Sequence, residues 1–429
     1  MKDSILPNAK SEPSPKYAYY ALIVILIANL INYADRFLVS AVLPDIKSHF
    51  DISGTKEGLL WTAFTLGYML SAPFIGYLSD RKRRPTIFAV CVFIWSLATI
   101  ASGLSGMTKD YNILFISRVV TGVGEAGCLI VGPTLLSDYF PERIRGKILA
   151  VFYLGMPLGS IAGFLLGGKI PLWQTAFYIA GAVGIPVALL ILILREPIRG
   201  GLEGTHHTSQ VAGIKSYVGL LRTKTLMYII FAQAAASFAF IPLVHFGTSY
   251  LREVRQLTKG EAAAFIGIIG AVAGILGTLV GGYLGDKLYR KTKAAYSILA
   301  AIGFFLGFLF VLLGLIASAT YLYVFGMFFA FFFFFMCMPA VNTQIADVTV
   351  ANQRAVAYSL AVFATHFFGD TISPPIFGRV KNVMGMEETL IIFSIPLVIS
   401  GILCIMAARY AGQDKDKVGE GVAGAKTLI

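Results

Sequence analysis

Charge is scarce in this chain. Asp, Glu, Lys and Arg make up 14% of its 429 residues, against roughly 25% in a soluble domain. Hydrophobic residues make up 57%, and the mean hydropathy is +0.75. A soluble fold of this length could not hide that much apolar surface, which excludes a cytosolic enzyme, a disordered chain and a nucleic-acid binder. Cysteine is also scarce. Cys91, Cys128, Cys337 and Cys404 are scattered through apolar runs, have no metal-ligand spacing, and read as small packing residues. The N-terminal stretch MKDSILPNAKSEPSPK lacks the apolar core of a signal peptide. Its Pro, Ser and Lys content predicts a disordered cytoplasmic arm over residues 1–17. No His/Glu metal motif and no nucleophile–base pair occurs in the apolar runs, so neither a metal, a cofactor nor enzymatic chemistry is expected.

What is present is long apolar segments. A membrane helix needs about 20 apolar residues. Residues 58–79, 85–108, 148–168, 170–194, 225–251, 262–285 and 389–408 carry no Asp, Glu, Lys or Arg, and residues 294–346 carry none over 53 positions. That last run holds two spans with a turn near Ser318–Thr320. Three more spans, around 18–44, 112–137 and 353–379, contain isolated charges. The total is twelve, which puts both termini on one side. If that side is cytoplasmic, 24 of the 35 Lys and Arg face it and nine lie in outer loops, the asymmetry of the positive-inside rule. The formal charge of +12 is then a matter of membrane topology. A cell membrane is the expected location, the inner one in a bacterium.

The division predicted is an N-terminal half over 18–195, a cytoplasmic linker over 196–224, a C-terminal half over 225–410 and a polar tail over 411–429. The linker carries Pro197, Gly200, Gly201, Gly204, His206 and His207, and the histidine pair reads as a solvated loop. A repeat supports the halves. Gly76-Tyr-Leu-Ser-Asp80-Arg-Lys-Arg-Arg84 recurs 206 residues later as Gly282-Tyr-Leu-Gly-Asp286-Lys-Leu-Tyr-Arg290, and Pro133 and Pro339 share that offset. The fold class expected is an all-α membrane protein, with twelve helices in two pseudo-symmetric six-helix halves, as in a major facilitator transporter. The repeated loop resembles that superfamily's loop motif. Gly76, Asp80, Arg84, Asp286 and Arg290 are therefore candidates for a cytoplasmic gate, the glycine allowing close helix approach and the Asp pairing with a base or a helix N-terminus of the other half.

Ionisable groups inside spans are functional candidates, because each costs several kcal/mol unpaired. Span one holds Asp35 and Arg36, and span four holds Arg118 and Glu125. Asn29, Asn32 and Arg36 share one face of span one, and Arg118 and Glu125 share one face of span four. Helical rise places Arg36 about 7 Å and Arg118 about 9 Å outward of the membrane centre, with Glu125 near it. The four can therefore meet, as a functional cluster or as a structural bridge. The C-terminal half offers Gln233 and His245 in span seven, Asn342 and Thr343 in span ten, and His366 and Asp370 in span eleven. His366 is a packed hydrogen-bonding residue or a group titrating near neutrality. Asp370 precedes Pro374 and Pro375, which predict a kink; alternatively it is an outer-mouth carboxylate near Arg379. The position equivalent to Glu125, 206 residues on, is Phe331, which begins the run Phe331 to Phe335. Ionic groups on one side and an aromatic wall on the other suit an amphiphile with a charged head and an apolar tail.

Residues 30–170 carry a closer likeness. The stretches NYADRFLVSAVLPDIKSHFDIS, GLLWTAFTLGYMLSAPFIGYLSDRKRR and SRVVTGVGEAGCLIVGPTLLSDYF resemble the Spinster family within the major facilitator superfamily. The combination of NYADR with GVGEA is the specific part. The resemblance implies a transporter of lysolipids or sphingoid phosphates, with Asp35 and Glu125 as proton-coupling acids and Arg36 and Arg118 as their partners or as headgroup ligands. Arg118-Val-Val-Thr-Gly122-Val-Gly124 is similar to the superfamily's proton-coupling motif. Gly146, Gly155, Gly159 and Gly163 are similar to its antiporter motif, which this chain leaves at Ser160 and Phe164.

The mechanism this implies is simple. Burial favours a neutral carboxyl and a nearby arginine favours a charged one. Opening to one side changes both, and a protonated acid frees its arginine for an anionic head. The expected partners are protons and a lipid-like substrate, and the expected state is a monomer. A carrier of small organic anions uses the same arginines. A passive lipid scramblase or a non-transporting receptor stands as the alternative of another class.

Overall fold

The computed structural model describes residues 14–199, 220–350 and 353–426. The linker residues Gly200, Gly201, Gly204, His206 and His207 and most of the N-terminal arm lie outside them. Among the described residues the chain is helical. Eleven helices are long and apolar enough to cross a membrane. Spans one to four are Pro15–Ala41, Gly54–Arg81, Arg84–Thr108 and Tyr111–Tyr139. Span five is Glu142–Tyr153 continued by Gly155–Lys169, and span six is Trp173–Leu192. Span seven is Lys224–His245, span nine Ala295–Ile316 and span ten Thr320–Asp347. Span eight contains a wide helical turn at Phe265–Ile269, followed by Gly270–Tyr289. Span twelve runs from Met386 through residue 410 and on to Lys426.

Span eleven makes the twelfth crossing in three pieces: Arg354–Ala364, a π-helical turn at Thr365–Asp370, and Ser373–Met384. The prolines explain the break. Pro375 has no N–H for the carbonyl of Thr371 four residues earlier. That carbonyl instead accepts a 2.6 Å hydrogen bond from Thr62 Oγ1 of span two.

Two six-helix halves result, the major facilitator architecture. Where helices touch closely, glycine is the reason. A Cβ on Gly67 would lie 2.1 Å from the Val119 carbonyl, and one on Gly122 would lie 2.0 Å from the Phe64 carbonyl, so spans two and four pack backbone to backbone. Gly159 and Gly163 of span five lie in the same way against the carbonyls of Leu30 and Ala34 of span one, and Gly155 lies against the Asn29 side chain.

The halves meet unevenly. The face holding the starts of spans one and seven is the termini face; there Tyr17 accepts from the Arg195 amide, and Asp414 receives the Thr225 amide and hydroxyl. From the opposite, far face inward, spans two and eleven descend side by side through Gly54–Gly378, Gly58–Pro374, Thr62–Thr371 and Tyr68–His366. One apolar core is continuous from the C-terminal half into the far ends of spans one, two, five and six, while a second is confined to the N-terminal half nearer the termini. The molecule is closed at the far face.

Candidate functional site

Within spans one and four the structure brings the four charged residues together. Arg36 donates through Nε and Nη2 to Oε2 of Glu125, both at 3.1 Å. Arg118 Nη1 lies 3.8 Å from Oδ1 of Asp35, whose Oδ2 accepts a 2.6 Å hydrogen bond from Thr99 of span three. Asp35 and Arg36 are neighbours in sequence, so their side chains leave the helix about 100° apart. One turns toward span three and the other toward Glu125. The side chains of Asp35, Arg118 and Glu125 are almost wholly buried, while Arg36 is 14% exposed.

Aromatic faces complete the setting. Arg36 lies over the rings of Tyr33, Phe64 and Tyr68, and Arg118 lies over the same Phe64 ring; each such contact is worth about 0.5–2 kcal/mol. Asn32 bridges the carbonyl of Glu125 and the Arg36 guanidinium. Asn29 lies deeper, donating to the Phe152 carbonyl at 2.7 Å and accepting from Cys128. Buried Nε and Nη1 of Arg118 and Oε1 of Glu125 have no hydrogen-bond partner among the described residues. A buried polar atom without a partner costs about 1–3 kcal/mol or more; for Arg118 Nη1 the ion pair with Asp35 at 3.8 Å offsets part of that cost.

The C-terminal half contributes a second polar group. Asp370 accepts from Ser237 of span seven through Oδ1, and its Oδ2 lies 2.8 Å from His366 Nδ1. Tyr68 touches both halves, because its ring centroid is 5.8 Å from the His366 ring and 5.3 Å from Arg36 Cζ. Gln233, one turn before Ser237, has a buried Oε1 without a partner. Asn342 and Thr343 are not part of this assembly. They lie about 16 Å along span ten from Phe331 toward the termini, and the Asn342 carbonyl accepts from Tyr358. Within the phenylalanine run, Phe331, Phe334 and Phe335 gather around Phe240 of span seven, with Phe334 stacked on it at 3.7 Å. Phe333 packs against Phe310 of span nine, and the Phe332 carbonyl lies against Gly277 of span eight.

The far face is sealed by ionic contacts and by hydrogen bonds of His245, the residue of this group that the sequence singles out. Lys381 Nζ and Glu57 Oε2 are 2.6 Å apart and almost wholly buried. Asp45 binds Arg252 at 2.8 Å and Lys259 at 2.7 Å, and Lys47 binds Glu253 at 3.2 Å. His245 bridges the Ser40 hydroxyl and the Glu57 carbonyl, both at 3.1 Å. A sequence signal existed. Lys47 and Glu253 are opposite charges 206 residues apart, the repeat offset, so they fall on equivalent positions and meet at the pseudo-two-fold axis. Removing one partner of a buried pair costs about 3–5 kcal/mol, and Lys381→Ala removes one only while the face is closed. The far face should then open more often by roughly two orders of magnitude. Maleimide labelling of a cysteine placed at buried Ser249 should accelerate at least about tenfold; an unchanged rate would show that the pair holds nothing shut.

The loop residues of the termini face are apart from one another. Arg84 binds Asp138 at 2.6 Å and Glu196 at 3.1 Å, all within the N-terminal half. The Asp80 carbonyl accepts from Arg199, Asp286 accepts from Tyr296 at 2.9 Å, and Arg290 is exposed. A Cβ on Gly76 would meet its first neighbour at 4.0 Å, and one on Gly282 or Gly146 would meet none within 4 Å. These glycines are not used for close packing in this conformation.

The family model described as Major Facilitator Superfamily matches residues 25–374. Protein spinster of Drosophila melanogaster is 30% identical over 85% of this chain, which spans 62% of that protein. Protein spinster homolog 1 of Xenopus tropicalis is 30% identical, covering 94% of this chain and 83% of that one. The sphingosine-1-phosphate transporter SPNS2 of Xenopus tropicalis is 27% identical, covering 96% and 86%. A solved structure of a bacterial homologue of the human lysosomal transporter Spinster, inward-facing and unoccupied, superposes with a TM-score of 0.86 at 21% identity, covering 94% of this chain and 99% of that one.

Proposed function

The chain belongs to the Spinster family of the major facilitator superfamily, a family of transporters and not enzymes, and from that premise we propose that it is a proton-coupled, alternating-access carrier of an amphipathic anionic lipid such as a lysophospholipid or a sphingoid phosphate. The observation that carries this reading is the pair of buried ion pairs, Arg36–Glu125 and Arg118–Asp35, beneath a closed far face. Charges in that position are expensive unless used. The excess of Lys and Arg supports a cytoplasmic termini face; with that orientation this conformation is inward-facing, and the cycle is proposed for a monomer.

The cycle follows from the contacts. A proton reaching Glu125 neutralises the carboxylate and weakens its hold on Arg36. The guanidinium then binds an anionic head beside the unpartnered donors of Arg118. Rocking of the halves brings Gly76 and Gly282, with Asp80, Arg84, Asp286 and Arg290, into contact at the termini face and parts Glu57 from Lys381. Return of the proton to the other side restores the Arg36–Glu125 pair and expels the head. The aromatic group around Phe240 suits an acyl or sphingoid tail, and the sphingosine-1-phosphate transport named for the SPNS2 relative supports a lipid cargo.

Uptake into proteoliposomes under an imposed proton gradient tests this. A lysophospholipid or a sphingoid phosphate should accumulate against its gradient, and a sugar acid should not. Accumulation of the sugar acid alone would replace the lipid with a small organic anion. Equilibration without accumulation would leave a passive scramblase.

A further inference from the structure

Between spans seven and eight the chain turns sharply on the far face. The short helix Gly247–Glu253 ends, Gln256 takes a left-handed backbone conformation with φ 58°, and a capping box of Thr258 and Glu261 starts the helix Lys259–Ala264. This turn carries much of the C-terminal half's share of the ionic seal. Arg252 and Lys259 bind Asp45, Glu253 binds Lys47, and Lys259 also donates to the Ile170 carbonyl at 3.0 Å. All of these side chains are partly exposed. Exposed pairs lose much of their gain to the entropy of holding two long side chains in one geometry, so their strength depends on how firmly the turn itself is held.

Arg255, in the middle of the turn, points the other way. Its Nε donates to the Tyr250 hydroxyl at 2.9 Å, Nη1 to the Ala317 carbonyl at 2.7 Å, and Nη2 to the carbonyls of Leu315 at 2.7 Å and Gly314 at 3.3 Å. These carbonyls close span nine, where no further helical N–H reaches them and where a cation is favoured by the helix dipole. The guanidinium also lies 5.6 Å from the ring of Tyr250 and 4.9 Å from that of Tyr323 near the start of span ten, both rings being almost wholly buried. A planar fork can serve four acceptors at once while stacked between two rings, which an ammonium cannot. Every one of these partners belongs to the C-terminal half, so the clamp persists whichever way the halves rock.

We infer that Arg255 is a positioning residue for closure of the far face: by pinning the turn to the end of span nine it presents Arg252, Glu253 and Lys259 to Asp45 and Lys47, and it acts through those pairs. The inference rests on the alternating-access cycle proposed above and adds to it a residue that governs one gate from within a single half. Without the clamp the turn still carries its charges, but each must be ordered afresh every time the face closes, and the closed state loses what the pairs contribute.

The test is the ratio of open to closed far face, read from distances between spin labels at the far ends of spans two and eleven in the full chain in nanodiscs. Neither label sits on the turn. Arg255→Met fills the space between the two tyrosines but has no donors, and should raise the ratio about five- to tenfold. Arg255→Lys keeps a charge at the end of span nine without the fork, and should give a smaller shift in the same direction. The decisive arm is a protein carrying Asp45→Asn and Lys47→Gln, which should already be more open. There Arg255→Met should add less than about twofold, because the pairs through which it acts are gone. An unchanged ratio in Arg255→Met overturns the inference, even where the melting temperature falls. An equal shift with and without the Asp45 and Lys47 substitutions overturns it in favour of general bracing of the C-terminal half. Should Arg255→Met fail to fold, Arg255→Lys carries the same comparison, and no shift in that variant overturns the inference. An Asp45→Asn, Lys47→Gln protein no more open than wild type removes the seal from the cycle and this inference with it, whereas one that opens while the Arg255 variants do not overturns this inference alone.

Discussion

Glu125→Gln is expected to abolish proton-driven accumulation while leaving a folded protein that still binds an anionic substrate. Both Arg36 donors converge on one oxygen, Oε2 of Glu125. A glutamine presents a carbonyl oxygen at the same place, so the hydrogen bonds can persist while the charge and the titration are gone. Concentrative uptake should fall by about two orders of magnitude or more, the loss typical when a positioned proton-transfer group is removed. Affinity for the anionic head should stay level or rise, because Arg36 no longer has a competing carboxylate. The reverse deletion behaves differently. Arg36→Ala leaves Glu125 buried without its ion-pair partner, and breaking a buried pair in that way costs about 3–5 kcal/mol, so this variant should lose thermal stability as well as transport. The contrast separates coupling from bracing. A purely structural bridge between spans one and four would make both variants unstable and tie transport loss to the fraction unfolded. A stable Glu125→Gln protein that accumulates substrate like wild type would remove Glu125 from the coupling mechanism.

The architecture was legible because a bilayer imposes a simple rule. Long charge-free runs must cross it, and an exact offset of 206 between two loops declares two copies of one unit. The charged cluster was legible for the same reason, since Asp35, Arg36, Arg118 and Glu125 violate the rule in the middle of spans. The far-face seal was harder to see. Glu57 stands just outside the charge-free run 58–79, and Lys381 stands just past the expected end of span eleven, so in sequence both look like loop charges. In the folded chain they are buried against each other. The end of span twelve was hidden too. Composition turns polar near residue 410, yet the helix continues, because Asp414 receives both the amide and the hydroxyl of Thr225 at the first turn of span seven, and Lys415 reaches Asp347 at the end of span ten. Those partners are tertiary, and no local pattern carries them. Asn342 and Thr343 stood as substrate contacts on polarity alone. Their depth along span ten separates them from Phe331, the counterpart of Glu125.

Closure of the far face depends on glycine, and this gives the second large effect. Spans two and eleven touch through Gly54 and Gly378. A Cβ at 378 would lie 1.8 Å from the Gly54 carbonyl oxygen and 2.3 Å from its carbon. Those are backbone atoms, so no side-chain rotation relieves the clash and the helices must separate. Overpacking typically costs 1–3 kcal/mol where neighbours can yield. Here they cannot, and the Thr62–Thr371 and Glu57–Lys381 contacts along the same seam are lost as well. Gly378→Val should therefore hold the carrier open at the far face, shifting the equilibrium by at least about 100-fold and reducing transport to near background, with the two halves still folded. Distance measurements between spin labels at the far ends of spans two and eleven should show the separation. Gly76 supplies the opposite case. Its Cβ direction is open for 4.0 Å in this conformation, so Gly76→Val should leave the closed far face undisturbed and oppose closure at the termini face instead. Two valines, one in span eleven at the far face and one in span two near the termini face, should thus stop the same cycle in opposite states. Equal far-face distances in both variants would mean that these glycines do not govern the rocking, and that the seal rests on its ion pairs alone.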